Sequence, residues 1–199
     1  MSVVLSICSY NFSLMMSDGR LVKINDMNSK NLTVVNEEFK KISRINRNVM
    51  IGFTGDPVPT INALNELNTY ANLESLSLEE IKEIVVNSLK KQQINFLGVK
   101  LIISGRSKSN IFVTYTLDSK NNFAEVPYYI LSFPNAFAVN YALPNNEGGK
   151  LEMICKRHIE NTQPWGTLDA LKQHMRDCIK EISEVCPSVN SNVFEEFIG

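Results

Sequence analysis

The order of apolar runs predicts an α+β chain built as a four-layer αββα sandwich, two antiparallel sheets packed face to face and each flanked by a helix pair. Two observations predict it. Stretches rich in β-formers lie at 3–16, 39–53 and 97–117, with one or two strands more over 126–142 and a last short one at 193–198. Between them fall two helix-pair patterns, at 56–92 and 151–185, so the order reads strands, two helices, strands, two helices, strand.

Composition bounds the function. The 199 residues suit one sizeable domain, expected over 1–199 without linkers, repeats or low-complexity segments. The chain is 44% hydrophobic and 21% charged with net charge −1, and no basic patch points to nucleic acid. No apolar run is long enough to span a bilayer, and Met1 is followed by a strand pattern rather than a signal peptide. The expectation is a cytoplasmic protein in which Cys8, Cys155, Cys178 and Cys186, lacking any C-x-x-C pair, stay free thiols.

Each element follows from its residues. Val3, Val4, Leu5 and Ile7, then Phe12, Leu14, Met15 and Met16, form a buried hairpin about Ser9-Tyr10-Asn11, with Asn11 expected at positive φ. It ends in the turn Ser17-Asp18-Gly19-Arg20. Residues 21–33 read as a polar loop, and Thr33-Val34-Val35 as a short extended piece. Phe39–Ile45 and Val49–Phe53 make a second hairpin closed by Asn46-Arg47-Asn48, with Gly52 and Gly55 allowing close backbone approach. Residues 56–72 read as a helix with Pro57 and Pro59 at its entry and a face of Ile61, Leu64, Leu67 and Ala71. Ser77-Leu78-Glu79-Glu80 is a capping box opening a helix with Ile81, Ile84, Val85 and Leu89 on one face. Strands at 97–104 and 110–117 follow, and Pro127 and Pro134 limit pairing beyond them. A helix at 151–160 and a long helix capped by Thr167 and ended by Pro187 flank Pro164-Trp165-Gly166, where Trp165 is expected to plug the turn.

Three motifs carry a resemblance. Ser2 begins the first hairpin, Asp18 follows sixteen residues later, and Arg20 comes after one intervening residue, Gly19. Phe39-Lys40-Lys41-Ile42 is a Lys-Lys-hydrophobic motif, and Val49-Met50-Ile51-Gly52-Phe53-Thr54-Gly55-Asp56 is a strand closing in a Gly-rich turn before a helix. Together they resemble the start of a proteasome β-type subunit, of the N-terminal-nucleophile (Ntn) hydrolase superfamily, as a divergent, bacterial-type member. The Asp-to-Lys segment is several residues longer than in that family. The resemblance covers the whole chain in outline, with its specific motifs in the first third.

The resemblance implies a mechanism. Once Met1 is removed, the Ser2 hydroxyl attacks an amide carbonyl and the Ser2 α-amine carries its proton. Lys41 favours the neutral amine, Asp18 orients Lys41, and a backbone N–H of the Gly52–Gly55 turn, Gly55 foremost, holds the oxyanion. A retained Met1 would block the amine. Two supporting family positions depart from the pattern. They fall by position near Asn140-Tyr141-Ala142 and Cys186-Pro187-Ser188-Val189, where Cys186 replaces a carboxylate. The readings therefore stand as an N-terminal-serine peptidase or amidase, a catalytically inactive structural or assembly subunit, and a zinc- or ligand-binding domain. The last rests on Cys155, His158, His174 and Cys178, at helical spacings on two adjacent helices. No cofactor is expected for the hydrolase. The family implies a homo-oligomer, a ring among the forms, with contacts from the helices at 56–92 or 151–185.

Overall fold

Side-chain alternation along the first hairpin decides the layering. In the computed structural model, which describes residues 2–24, 32–129, 137–144 and 149–199, strands β1 (Val4–Ser9) and β2 (Ser13–Asp18) are buried at every position. A strand turns successive side chains to opposite faces, so burial throughout requires cover on both. One face sends Leu5, Ile7, Leu14 and Met16 into a core shared with the C-terminal helices. The other sends Val4, Cys8 and Met15 against Ile42, Met50, Ile102 and Phe112 of a second sheet. The hairpin is closed by Ser9, whose Oγ accepts the N–H groups of Asn11 and Phe12 at 3.1 and 3.0 Å. That bonding makes a positive φ at Asn11 unnecessary, and Asn11 does not adopt one.

Residues 21–36, expected as a loop with one extended piece, form an antiparallel ribbon of β3 (Leu21–Ile24) and β4 (Leu32–Asn36), while 25–31 lie outside the described residues. Strands β5 (Ile42–Asn46) and β6 (Val49–Gly55) are the second hairpin. Helix α1 (Pro57–Leu67), capped by Asp56, ends earlier than its apolar spacing suggests and is rotated from it: Pro59, Thr60, Ala63 and Leu67 are buried, whereas Ile61 is exposed. Helix α2 (Leu78–Lys90) starts with the expected capping box, Ser77 and Glu80 bonding reciprocally. Strands β7 (Val99–Arg106), β8 (Phe112–Asp118) and β9 (Val126–Tyr129) complete a five-stranded sheet ordered β5-β6-β7-β8-β9. Strand β10 (Phe137–Ala142) and the C-terminal β11 (Val193–Ile198) flank the first hairpin as β10-β1-β2-β11. Between them, α3 (Lys150–Cys155) widens into a π turn over Lys156–Glu160, and α4 (Leu168–Val185) follows its Thr167 cap. Trp165 is buried at the connection and donates its ring N–H to the Ile159 carbonyl at 2.9 Å.

The result is the αββα sandwich: α1 and α2 pack on the outer face of the five-stranded sheet, α3 and α4 on that of the four-stranded one. Among the described residues no helix is long and apolar enough to cross a membrane. The sheets approach closely where Gly52 faces the first hairpin. A Cβ there would lie 2.6 Å from Met15 Sδ and 2.7 Å from Val4 Cγ1. Gly52→Ala should therefore destabilise the protein by about 1–3 kcal/mol through overpacking, measured by denaturant unfolding. An unchanged midpoint would mean that the layers spread without cost.

Candidate active site

The chain enters β1 through Ser2 and Val3, and β2 ends beside them at Asp18. Val3 is clasped by Asp18: its N–H donates to Asp18 Oδ1 at 2.8 Å, and the Asp18 N–H donates to the Val3 carbonyl at 3.3 Å. Lys41 lies just before β5, in the opposite sheet, and its carbonyl accepts the Phe53 N–H at 3.1 Å. From there the Lys41 ammonium reaches across the layers to Asp18 Oδ2 at 2.7 Å and to the Asp18 carbonyl at 3.2 Å. Asp18 Oδ2 also takes the Arg20 N–H at 2.9 Å. Both charged side chains are withdrawn from solvent, at 0% and 1% exposure. Lys40, one residue earlier, points the other way to an ion pair with Glu196.

Ser2 itself is 6% exposed, directly ahead of the clasped Val3. Gly55 ends β6, the strand paired with β5. It has φ +95°, and a Cβ there would lie 2.2 Å from the Gly98 carbonyl oxygen, so only glycine fits. Asp56 follows, donating its N–H to that same carbonyl at 2.7 Å and capping α1 through Val58 N–H. Thus Asp18 and Lys41 are in direct contact and Val3 is tied to them, while Gly55 lies at the end of the neighbouring strand.

Neither of the two supporting positions carries a carboxylate. Asn140 pairs with Ser6 and Ala142 with Val4, so β10 draws level with Ser2 only beyond Ala142. Cys186 turns to Ser188, Sγ to Oγ 3.3 Å, and the loop brings no carboxylate to Asp18. It brings Asn190 instead, bonded to the Gly19 N–H and to Glu37. Neither Asn190 nor Glu37 was legible as a site residue. The only hint was the polar density of 188–192 after the last helix.

The zinc constellation does not assemble. Cys155 and Cys178 meet in the core with their sulfurs 3.7 Å apart, while His158 turns to Glu181 at 2.7 Å. Among the described residues no three His, Cys, Asp or Glu side chains converge as a metal site. Burial pushes the Cys8 thiol up to about 11 and, with the facing Cys178 thiol first, raises Cys155 well above the ordinary range. All four cysteines are unbridged.

Burial also lowers the Lys41 pKa from the ordinary 10.5, against the opposing pull of Asp18, which favours the ammonium. Between the lowered folded value and 10.5 the unfolded chain holds more protons at this site, so this contribution to stability rises with pH. The stability of the wild type relative to Lys41→Met should therefore increase from about pH 7 to about pH 10 in denaturant titrations. A falling difference would mean that the Asp18 charge outweighs burial.

No protein-family model matches the chain, and no curated protein sequence matches it. Among solved structures the fold is similar to the crystal structure of eukaryotic HslV from Trypanosoma brucei, with a TM-score of 0.56 and 15% identity over 98% of this chain and 98% of that one. The likeness thus runs the length of both chains, and at this identity it carries the αββα fold alone.

Proposed function

We propose that this chain is a divergent proteasome β-type Ntn hydrolase, an N-terminal-serine peptidase or amidase acting as one domain over 1–199. The single observation that carries the reading is the buried Asp18–Lys41 pair that clasps the residue next to Ser2. With Met1 removed, the Ser2 Oγ attacks an amide carbonyl carbon while its proton passes to the Ser2 α-amine. The tetrahedral oxyanion lies at the Gly55 end of β6. The C–N bond then breaks, the leaving nitrogen takes the proton, and an ester on Ser2 remains. Water, deprotonated by the same amine, cleaves the ester and restores Ser2. Lys41 keeps the amine neutral at working pH by its adjacent positive charge, and Asp18 aims Lys41. The substrates are peptides or small amides, no cofactor takes part, and the setting is cytoplasmic.

The second reading, an inactive structural subunit of the same fold, is favoured by one feature. Cys186 faces Ser188, so the loop after α4 supplies no carboxylate.

The N-terminal mass decides whether Ser2 is exposed, and a form beginning at Ser2 should be esterified at that residue by a β-lactone. Ser2→Ala should fold normally and lose both labelling and amidase activity by several orders of magnitude. A Ser2-initiated protein inert to the β-lactone and to broad peptide libraries would overturn the hydrolase reading in favour of the structural one.

We further propose a homo-oligomer assembled through the helical layers. Val58 on α1 and Met153 on α3 expose 60% and 69% of their surface, an apolar display that an assembly would cover. Sedimentation at micromolar concentration should give a mass above 22.5 kDa, and a lone species at that mass would overturn this.

A further inference from the structure

The loop after α4 carries a buried side chain that the chemistry above does not use. Asn190 is 7% exposed. Its Oδ1 accepts the Gly19 N–H at 2.9 Å, and its Nδ2 donates to the Glu37 carbonyl at 2.9 Å and to Glu37 Oε2 at 2.6 Å. Three segments far apart in sequence meet on this one amide. Glu37 Oε2 also accepts Arg20 Nε–H at 3.0 Å, and Arg20 Nη1 donates to the Pro187 carbonyl at 2.8 Å. The Gly19 carbonyl takes the Phe39 N–H at 2.8 Å. Packing over Gly19 leaves no room for a side chain, since a Cβ would lie 2.7 Å from the Glu37 carbonyl oxygen.

Gly19 sits between the two residues that define the carboxylate. Asp18 is oriented by two main-chain donors, Val3 N–H on Oδ1 and Arg20 N–H on Oδ2. The first is held by the β1–β2 ladder, the second only as firmly as the 18–20 turn. That turn is what Asn190 and Glu37 hold.

We propose that Asn190, backed by Glu37, is a positioning residue: it fixes the Gly19 peptide, and thereby the Asp18 carboxylate and the direction of Lys41. This rests on the reading that Lys41 serves Ser2. The position requires one acceptor and one donor on a short stem. Alanine would leave the buried Gly19 N–H unpaired. Aspartate would keep the acceptor but set its second oxygen against Glu37 Oε2 and abandon the Glu37 carbonyl.

The test compares Ser2-initiated wild type with Asn190→Ala, Asn190→Asp and the double variant Asn190→Asp with Glu37→Gln, in which an amide at 37 can donate to a carboxylate at 190. Two quantities are read: the rate of Ser2 esterification by a β-lactone, and the titration midpoint of the Lys41 side chain by NMR of carbon-13-labelled lysine. The charged groups acting on Lys41 are Asp18, Arg20 and Glu37; Asn190→Ala removes none of these charges but takes one donor from Glu37. Glu37→Gln alone is the control for that loss, and a midpoint that Asn190→Ala moves beyond this control reports changed geometry. Asn190→Ala should shift the midpoint and slow labelling by about 10²-fold. Asn190→Asp should do worse, and the double variant should recover much of the rate. A folded Asn190→Ala with the wild-type midpoint and rate overturns the proposal. If neither single variant folds, a double variant that folds without regaining the rate rejects it as well. A wild type that resists labelling, with the midpoint still moved by Asn190→Ala, removes the Ser2 reading and leaves the positioning role standing.

Discussion

Asp18 and Lys41 meet at 2.7 Å with no useful access to water, and the edge of the sandwich around them is arranged so that neither charge is left unpartnered. Withdrawing a carboxylate and an ammonium from solvent costs several kcal/mol per ion, recovered only when the remaining lone pairs and protons are bonded. Asp18 meets that condition with main-chain donors from Val3 and Arg20 and the ammonium of Lys41. Because those donors come from the entry of β1, the end of β2 and the entry of β5, the pair makes the positions of three segments interdependent. It is also a tie between the two sheets, since Asp18 belongs to one and Lys41 leads into the other.

The interlayer supports this tie without being a plain hydrocarbon core. Val4, Met15, Met50 and Ile102 fill it, but a chain of hydroxyls, Ser13 to Ser104 to Thr114, each step 2.6 Å, crosses it away from the ion pair. Such small hydroxyls let the sheets approach while satisfying one another. The Ser13–Ser104 bond thus joins the same two sheets that the Asp18–Lys41 pair ties. The outer helices contribute amphipathic cover. On that cover the buried thiols of Cys155 and Cys178 behave as small apolar groups.

Much of this was legible in the residues. Alternation and apolar runs located the first hairpin, β5 and β6, the capping box of α2 and the long α4, because each is specified by contacts within its own stretch. The motif spacing singled out Asp18 and Lys41, which the fold joins. Where reading failed, distant packing had decided. The face of α1 turned so that Pro59 and Ala63, rather than Ile61, meet the sheet. Residues 21–36 became a ribbon because Leu21–Ile24 found partners in Leu32–Asn36 across a polar stretch. The four Cys and His residues share helical spacing but not a common point in space, since core packing claims the thiols and Glu181 claims His158.

What the sequence determined by itself is therefore local: periods of 2 and 3.6, caps and turns, with Asp18 and Lys41 marked out by the motifs that resemble a known family. Only the tertiary structure decided which loop closes over the pair. Asn190 reaches Gly19 across 171 residues of chain, and Cys186, the residue that position alone had matched, turns away to Ser188. No periodicity encodes such a contact. It arises from where α4 ends against β2, a position set by the packing of the whole C-terminal helical layer on the four-stranded sheet.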